Sequence, residues 1–400
     1  MKYDFTSIID RHGKDSTAVD SVGKKIWGNE PGAPKEGFDS IPMWVADMNF
    51  ATAPAITKAL QERISHPLYG YFLQTDEYFD SIIRWQEKRH KVTGLTREAI
   101  GYENGVHGCV STVVERLTNP GDKVLLHAPY YLGFIGDVEA LGRNSVFSQL
   151  KKDENGVYRM DYEDMDKKIK ENQIHLAIMC SPHNPTGRVW ERWELEKAME
   201  VFEKNNCFVV SDEIWADLTY TGHQHIPTQM VSDWAREHTV AVYAPSKTFN
   251  LAGLIGSYHI IYNSYLRDRM GMNHYNAQNV LSMHALIGGY SEEGSKWTDE
   301  LISVLEENCR YTCEYIQNHF NGVEVTMPEG TYMIFLDCTR FCEEKGMTID
   351  GLLEAGWDVG VGWQDGRSFG GPCHIRMNLA SPYSRIKEAC DRLDKYVFNK

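Results

Sequence analysis

"VAVYAPSKTFNLAGLIGSY", residues 240–258, joins an apolar run of small and β-branched residues to Ser246-Lys247 and a glycine-containing loop. A short, continuously apolar run that ends at a turn signal reads as a strand covered on both faces. A lysine at the end of such a strand is seldom fully buried unless something pairs with it or it does chemistry. The stretch therefore raises two questions: which sheet holds the strand, and what Lys247 does at its edge.

Similar runs recur upstream. "DKVLLHAP" (122–129), "IHLAIMCSP" (174–182) and "CFVVSDE" (207–213) alternate with helix-like stretches such as "RWELEKAMEVFEKNN" (192–206). Apolar strands alternating with helical patterns predict an α/β fold with a mostly parallel sheet. After about residue 290 the pattern changes. A long helical stretch (about 291–320) precedes "GTYMIFLD" (330–337) and "CHIRMNLA" (373–380), which read as a smaller α+β unit. The expected division is an N-terminal segment (1–48) packing on the small domain, a large domain (49–288) and a small C-terminal domain (289–400).

The whole-chain properties fit a globular protein. Hydrophobic residues make up 42% of the 400 residues and charged residues 24%, so a large core is available and disorder is not expected. The net charge of −15 argues against binding nucleic acid or an anionic membrane. The N-terminus lacks an apolar stretch of signal-peptide length, and no apolar run reaches membrane-spanning length. The nine cysteines include no CxxC pair, and Cys309/Cys313 and Cys338/Cys342 have no histidine at zinc-ligand spacing. No metal is expected, and a reducing cytoplasm is the simplest setting. "HQH" (223–225) reads as polar loop surface.

In a parallel α/β sheet, ligands sit beyond the carboxyl ends of the strands. The runs above are followed by Tyr130-Tyr131, by "SPHNPTG" with Asn184, by Asp212-Glu213 and by Ser246-Lys247. Pyridoxal 5′-phosphate (PLP) matches this set. A lysine forms a Schiff base with its aldehyde, and an aspartate keeps its ring nitrogen protonated as an electron sink. A tyrosine stacks on the ring, an asparagine donates to the ring hydroxyl, and helix-start amides cradle the phosphate. In "NGVHGCVSTVVERLT" (104–118), those amides fall near Val106 and His107, whose imidazole is expected to be structural. Each motif also has a plainer reading. Lys247 could be a surface lysine, Asp212 a turn acid, Asn184 ordinary turn material and 104–118 a plain capped helix. Arg376, in "HIRMNLASP", sits in an apolar strand and needs an anionic partner, either an internal acid or a substrate carboxylate.

"SPHNPTG", "SDEIWADL" (211–218) and "SKTFNLAGL" (246–254), in this order, resemble the fold-type I PLP enzymes of the aspartate aminotransferase superfamily. "PMWVADMNFATAPAITKAL" (42–60), "HPLYGY" (66–71) and "PEGTYMIFLD" (328–337) resemble more narrowly the MalY/PatB branch of cystathionine β-lyase-like C–S lyases. The resemblance implies a large domain with a mostly parallel seven-stranded sheet and a small α+β domain. It implies Lys247 as the Schiff-base lysine and proton carrier, Asp212 on the ring nitrogen and Asn184 on the ring hydroxyl. Tyr131 rather than Tyr130 would stack on the ring, with Ser246 also at the cofactor. Arg376 would take the substrate carboxylate, and Val45 and Ala46 would line the substrate mouth. Tyr71 would act from the neighbouring subunit of a homodimer.

Departures from the transaminase pattern bear on the reaction. The position three after the aspartate, commonly tyrosine, is Trp215, here placed near the substrate. The position eight after the lysine, usually arginine, is Ile255, and the frequent serine three before it is Ala244. Asn49 replaces the second acid of the branch's usual MWVADMDF. The departures favour α,β-elimination of L-cystathionine or related cysteine conjugates to a thiol, pyruvate and ammonia. The alternatives are an aminotransferase on a related amino acid and a PLP-binding regulatory protein with little turnover.

Overall fold

The computed structural model describes residues 2–26, 28–271 and 278–399. The chain divides into two compact units, one of Thr52–Asn184 and Arg188–Asp299, the other of Met1–Ala51, Pro185–Gly187 and Glu300–Lys400.

The first unit is built on a seven-stranded sheet. Its strands are β1 (Ile100–Glu103), β2 (Lys123–Ala128), β3 (Asn144–Gln149), β4 (Leu176–Cys180), β5 (Phe208–Asp212), β6 (Thr239–Tyr243) and β7 (Ser257–Ile260). Their order across the sheet is β1-β7-β6-β5-β4-β2-β3. Only β7 runs antiparallel to its neighbours. Every residue of β4 and β6 is buried, which is why these strands read as unbroken apolar runs. The parallel strands β2, β4, β5 and β6 all end at the same sheet edge, and the segments carrying Tyr131, Asn184, Asp212 and Lys247 leave from it.

Helices cover the sheet by burying one face each. The helix Arg192–Lys204 starts with a reciprocal capping box between Glu191 and Glu194. It buries Leu195, Ala198, Met199 and Phe202 against Met165, Ile169, Ala177, Met179 and Val209. Each such side chain contributes about 1.5–3 kcal/mol when withdrawn from water. The helices Pro54–Ile64 and Val280–Gly289 approach closely at Gly288. A Cβ there would lie 2.8 Å from the Ala55 carbonyl oxygen and 3.0 Å from the Ala59 Cβ, so no larger residue fits without a shift.

The second unit holds a three-stranded antiparallel sheet in which His374–Asn378 lies between Met333–Asp337 and Gln364–Asp365. Ile41–Pro42 pairs in parallel with Val361–Gly362. The helices Ile349–Asp358 and Tyr383–Leu393 belong to this unit, as does the helix Glu292–His319 from Glu300 onward. Among the described residues no helix is long and apolar enough to cross a membrane. The loop reading of "HQH" needs correction at one residue. His223 and Gln224 are exposed, but His225 is buried, because its Nε2 hydrogen-bonds the Glu213 carboxylate at 2.7 Å.

Candidate active site

Asp212 is the last residue of β5 and only 3% exposed. Its Oδ1 accepts from the Ile214 amide at 3.0 Å. Burial pushes its carboxyl up to about 6, against the opposing pull of that amide and of the His107 and Lys247 charges. A carboxylate held in this way is a ready partner for a cationic group.

Lys247 lies in the short helix Ser246–Phe249 that follows β6, and it is half-buried. Its ammonium lies 5.6 Å from the centroid of the buried Trp215 ring. Ser246 opens the same helix. Asn184, just beyond β4, is buried to 2% exposure.

After β2 the two tyrosines part. Tyr130 stacks on Phe147 of β3, with ring centroids 4.8 Å apart. Tyr131 instead bonds through its hydroxyl to His107 Nε2 at 3.0 Å. His107 Nδ1 meets Asp137 at 2.8 Å, and this bond makes the imidazole hold its proton more tightly than usual. Gly133 leaves room for the pair, since a Cβ there would fall 2.1 Å from the His107 ring. The His107 imidazole is thus held between Asp137 and Tyr131.

His107 and Val106 sit in the first turn of the helix Gly105–Leu117. Asn104 makes no side-chain cap there, and Gly105 takes a left-handed φ of 75°. Glu103, the last residue of β1 and just before the turn, bonds His259 of the neighbouring β7 at 2.7 Å. Ile255 lies beside this turn, its Cγ2 3.9 Å from where a Gly105 Cβ would be. Ile255 is 58% exposed and has a φ of 43°, an unusual conformation for a β-branched residue. Tyr71 is fully exposed in the segment after the helix Pro54–Ile64.

In the other unit, Arg376 is 3% exposed and lies in the central strand of the small sheet. Its Nη2 donates to the Trp44 carbonyl at 2.8 Å and to the Gln364 side chain, and its guanidinium lies over the Phe369 ring. Asn378 donates to the carbonyls of Val45 and Asp47, each at 2.6 Å. The Tyr332 hydroxyl donates to the Ala46 carbonyl at 3.0 Å. Four successive carbonyls, 44 to 47, are thus held in place, which fixes the half-buried Val45 and Ala46 in one conformation. Asn49 accepts from Arg11 at 2.9 Å, while Arg11 also pairs with Asp47.

The donor set of the first unit fits PLP. An amine, a buried carboxylate, an asparagine and a helix start without a side-chain cap offer what its aldehyde, ring nitrogen, ring hydroxyl and phosphate require. Sequence reasoning brought Tyr131, Asn184, Asp212 and Lys247 to one sheet edge, and these residues end or follow the parallel strands at that edge. It gave no role to Glu213, Asp217, Tyr332, Asn378 or Gln364, all buried. Two further acids beside Asp212 in "SDEIWADL" (211–218), Glu213 and Asp217, were the available signal for the first pair.

A model of the aminotransferase class I and II family matches residues 41–393. The chain is 33% identical to cystathionine beta-lyase PatB of Bacillus subtilis, over 89% of this chain and 92% of that one. It is 34% identical to the crystal structure of a PLP-bound proposed aminotransferase from Clostridium difficile 630, with a TM-score of 0.89 over 98% of this chain and 99% of the other. It is 27% identical to a PLP-bound C–S lyase from Staphylococcus hominis, with a TM-score of 0.90 over 100% of this chain and 99% of the other.

Proposed function

Because the chain belongs to the class I and II aminotransferase family, we propose that it is a PLP-dependent carbon–sulfur β-lyase. The substrate is a small amino acid, L-cystathionine or a related cysteine S-conjugate, cleaved to a thiol, pyruvate and ammonia. The cofactor, when bound, supplies an electron sink for the charge that builds at Cα.

The chain's own residues do the rest. Lys247 would hold the cofactor through its amine and would carry the Cα proton. Asp212 would keep the ring nitrogen protonated, and Asn184 would donate to the ring hydroxyl. Tyr131 would stack on the ring, with Trp215 at the substrate side. The amides at Val106 and His107, with Ser246, would take the phosphate. Arg376, oriented by Gln364, grips the substrate carboxylate in a bidentate pair, and Val45 and Ala46 shape the approach.

The observation that carries the cofactor reading is the buried Asp212 at the end of β5, paired with β6, the strand that leads to Lys247. The observation that favours cleavage over amino transfer is Ile255 beside Gly105, where a transaminase usually places a phosphate-binding arginine. The second reading is an aminotransferase, favoured by the likeness to the Clostridium difficile protein.

We further infer a cytoplasmic homodimer, with 49–288 as the large PLP-binding domain, 289–400 as the small domain and 1–48 packing on it. Leu68, Tyr69, Tyr71 and Leu73 are exposed in one loop, an apolar surface that a second copy would cover, and Tyr71 then reaches the other copy's site. The test is to reduce the holoenzyme with borohydride and map the adduct by mass spectrometry. A cofactor-labelled Lys247, and a Lys247→Ala protein without label or lyase turnover, are expected. A label on another lysine would overturn the assignment.

A further inference from the structure

Two carboxylates behind the candidate site have no part in the chemistry above, yet both are buried. Glu213 follows Asp212. Its Oε2 accepts from the Tyr243 hydroxyl at 2.5 Å and from His225 Nε2 at 2.7 Å. Its Oε1 accepts from the Thr228 amide at 2.9 Å and from Ser211 at 3.0 Å. Asp217 lies five residues past Asp212. Its Oδ1 accepts from Trp85 Nε1 and His90 Nε2, each at 2.9 Å, with Arg89 Nε 3.7 Å away. Its Oδ2 accepts from the Thr248 hydroxyl at 2.8 Å. The rings of His90 and His225 meet edge to face at 5.4 Å and join the two groups.

The partners on the other side are informative. Tyr243 ends β6 and Thr248 follows Lys247, so the two bonds grip the lysine-bearing segment on both sides of the lysine. A backbone bond from the Glu213 amide to the Val242 carbonyl, 2.8 Å, lies alongside. Burying two carboxylates is costly unless every lone pair is used. Here His225, Tyr243 and the Thr228 amide outweigh burial at Glu213, and His90, Arg89 and Thr248 do so at Asp217. Both carboxyls are left below their ordinary values and charged.

We propose that Glu213 and Asp217 are positioning residues that form a two-point clamp between the Asp212–Asp217 and Tyr243–Thr248 segments. The clamp sets the distance between the Lys247 amine and the Asp212 carboxylate. Those two groups must meet opposite ends of one rigid ring, so small errors in their separation weaken both contacts. The proposal rests on the PLP reading above.

The test uses holoenzyme variants. Thr248→Val keeps the side chain's shape and removes one bond, Thr248→Ser restores it, and Tyr243→Phe removes the bond on the other arm. The readouts are the pH midpoint of the cofactor's visible absorbance band and the rate of cofactor release. The valine and phenylalanine variants are expected to shift the midpoint and to release cofactor on the order of tenfold faster. The serine variant should match wild type. Variants that melt at lower temperature while keeping the wild-type midpoint and release rate would overturn the clamp and leave only a structural role. A wild-type protein with no visible band at all would overturn the PLP reading, and the clamp with it.

Discussion

The ammonium of Lys247 lies 5.6 Å from the centroid of Trp215, a side chain left 2% exposed. A cation beside an aromatic ring at this range is favoured by about 0.5–2 kcal/mol. Trp215→Ala removes the ring and leaves a cavity, so the protein should lose about 3–5 kcal/mol of stability. In the cofactor-free protein, Lys247 should also react differently with an amine-selective reagent, since the ring beside its ammonium is gone. Trp215→Phe should show both effects at smaller size. Denaturant titration gives the first, and the pH dependence of labelling by an amine-selective reagent gives the second. An unchanged labelling profile in Trp215→Ala would remove the ring from the lysine's electrostatic surroundings.

Asp212 supports a prediction about pH. Burial raises its carboxyl from the ordinary 3.8 to about 6. The folded state therefore binds this proton more tightly than the unfolded state. The resulting penalty is absent below the ordinary value and fully present above about 6, on the order of 3 kcal/mol. Cofactor-free Asp212→Asn should lack this fall in stability and should exceed wild type near neutral pH. Bound cofactor, whose ring carries the compensating cation, should reverse the order. Denaturant titrations across this pH range check it. Parallel profiles for the two cofactor-free proteins would contradict it.

The His107–Asp137 pair runs in the opposite direction. Asp137 raises the imidazole's proton affinity, so the pair stabilises the fold below the ordinary histidine range and loses that contribution as pH rises through the His107 titration. The imidazole is 52% exposed, so solvent limits the effect to under about 1 kcal/mol. Asp137→Asn should move the His107 titration, followed by the NMR signals of its ring protons, to lower pH. It should also weaken cofactor retention by loosening Tyr131.

The parts of the fold legible in the sequence were those whose burial is uniform. Strands β4, β5 and β6 lie in the middle of the sheet and show no alternation that could be mistaken for something else. Strands β1 and β7 are four residues each, and β3 is a half-exposed edge, so none of them forms an apolar run. Lys247 and Asp212 were visible because each breaks an apolar run at its carboxyl end. The clamp was not, because an acid's burial depends on partners far away in the chain: His90 lies 127 residues before Asp217. The bonds from Asn378 and Tyr332 to residues 45–47 end on backbone carbonyls, which leave no pattern in the sequence.

The exposed loop after the helix Pro54–Ile64 is shaped by Arg63, which donates to the carbonyls of His66 and Leu68 and lies over the Tyr69 ring. It presents Leu68, Tyr71 and Leu73 outward. Leu68→Asp with Leu73→Asp should shift the protein toward monomer in sedimentation velocity and lower turnover in parallel. Tyr71→Phe should leave association unchanged and weaken cofactor retention. A double variant that stays associated, or a wild-type protein that is already monomeric, would contradict a dimer built on this loop.

Purified protein given L-cystathionine without any 2-oxo acid tests the central claim most directly, by counting the free thiol and pyruvate formed. Carbon–sulfur cleavage driven by Lys247 predicts equal amounts of the two, over many turnovers, with neither formed by Lys247→Ala. Turnover that begins only when 2-oxoglutarate is added would contradict it and assign the protein to amino transfer.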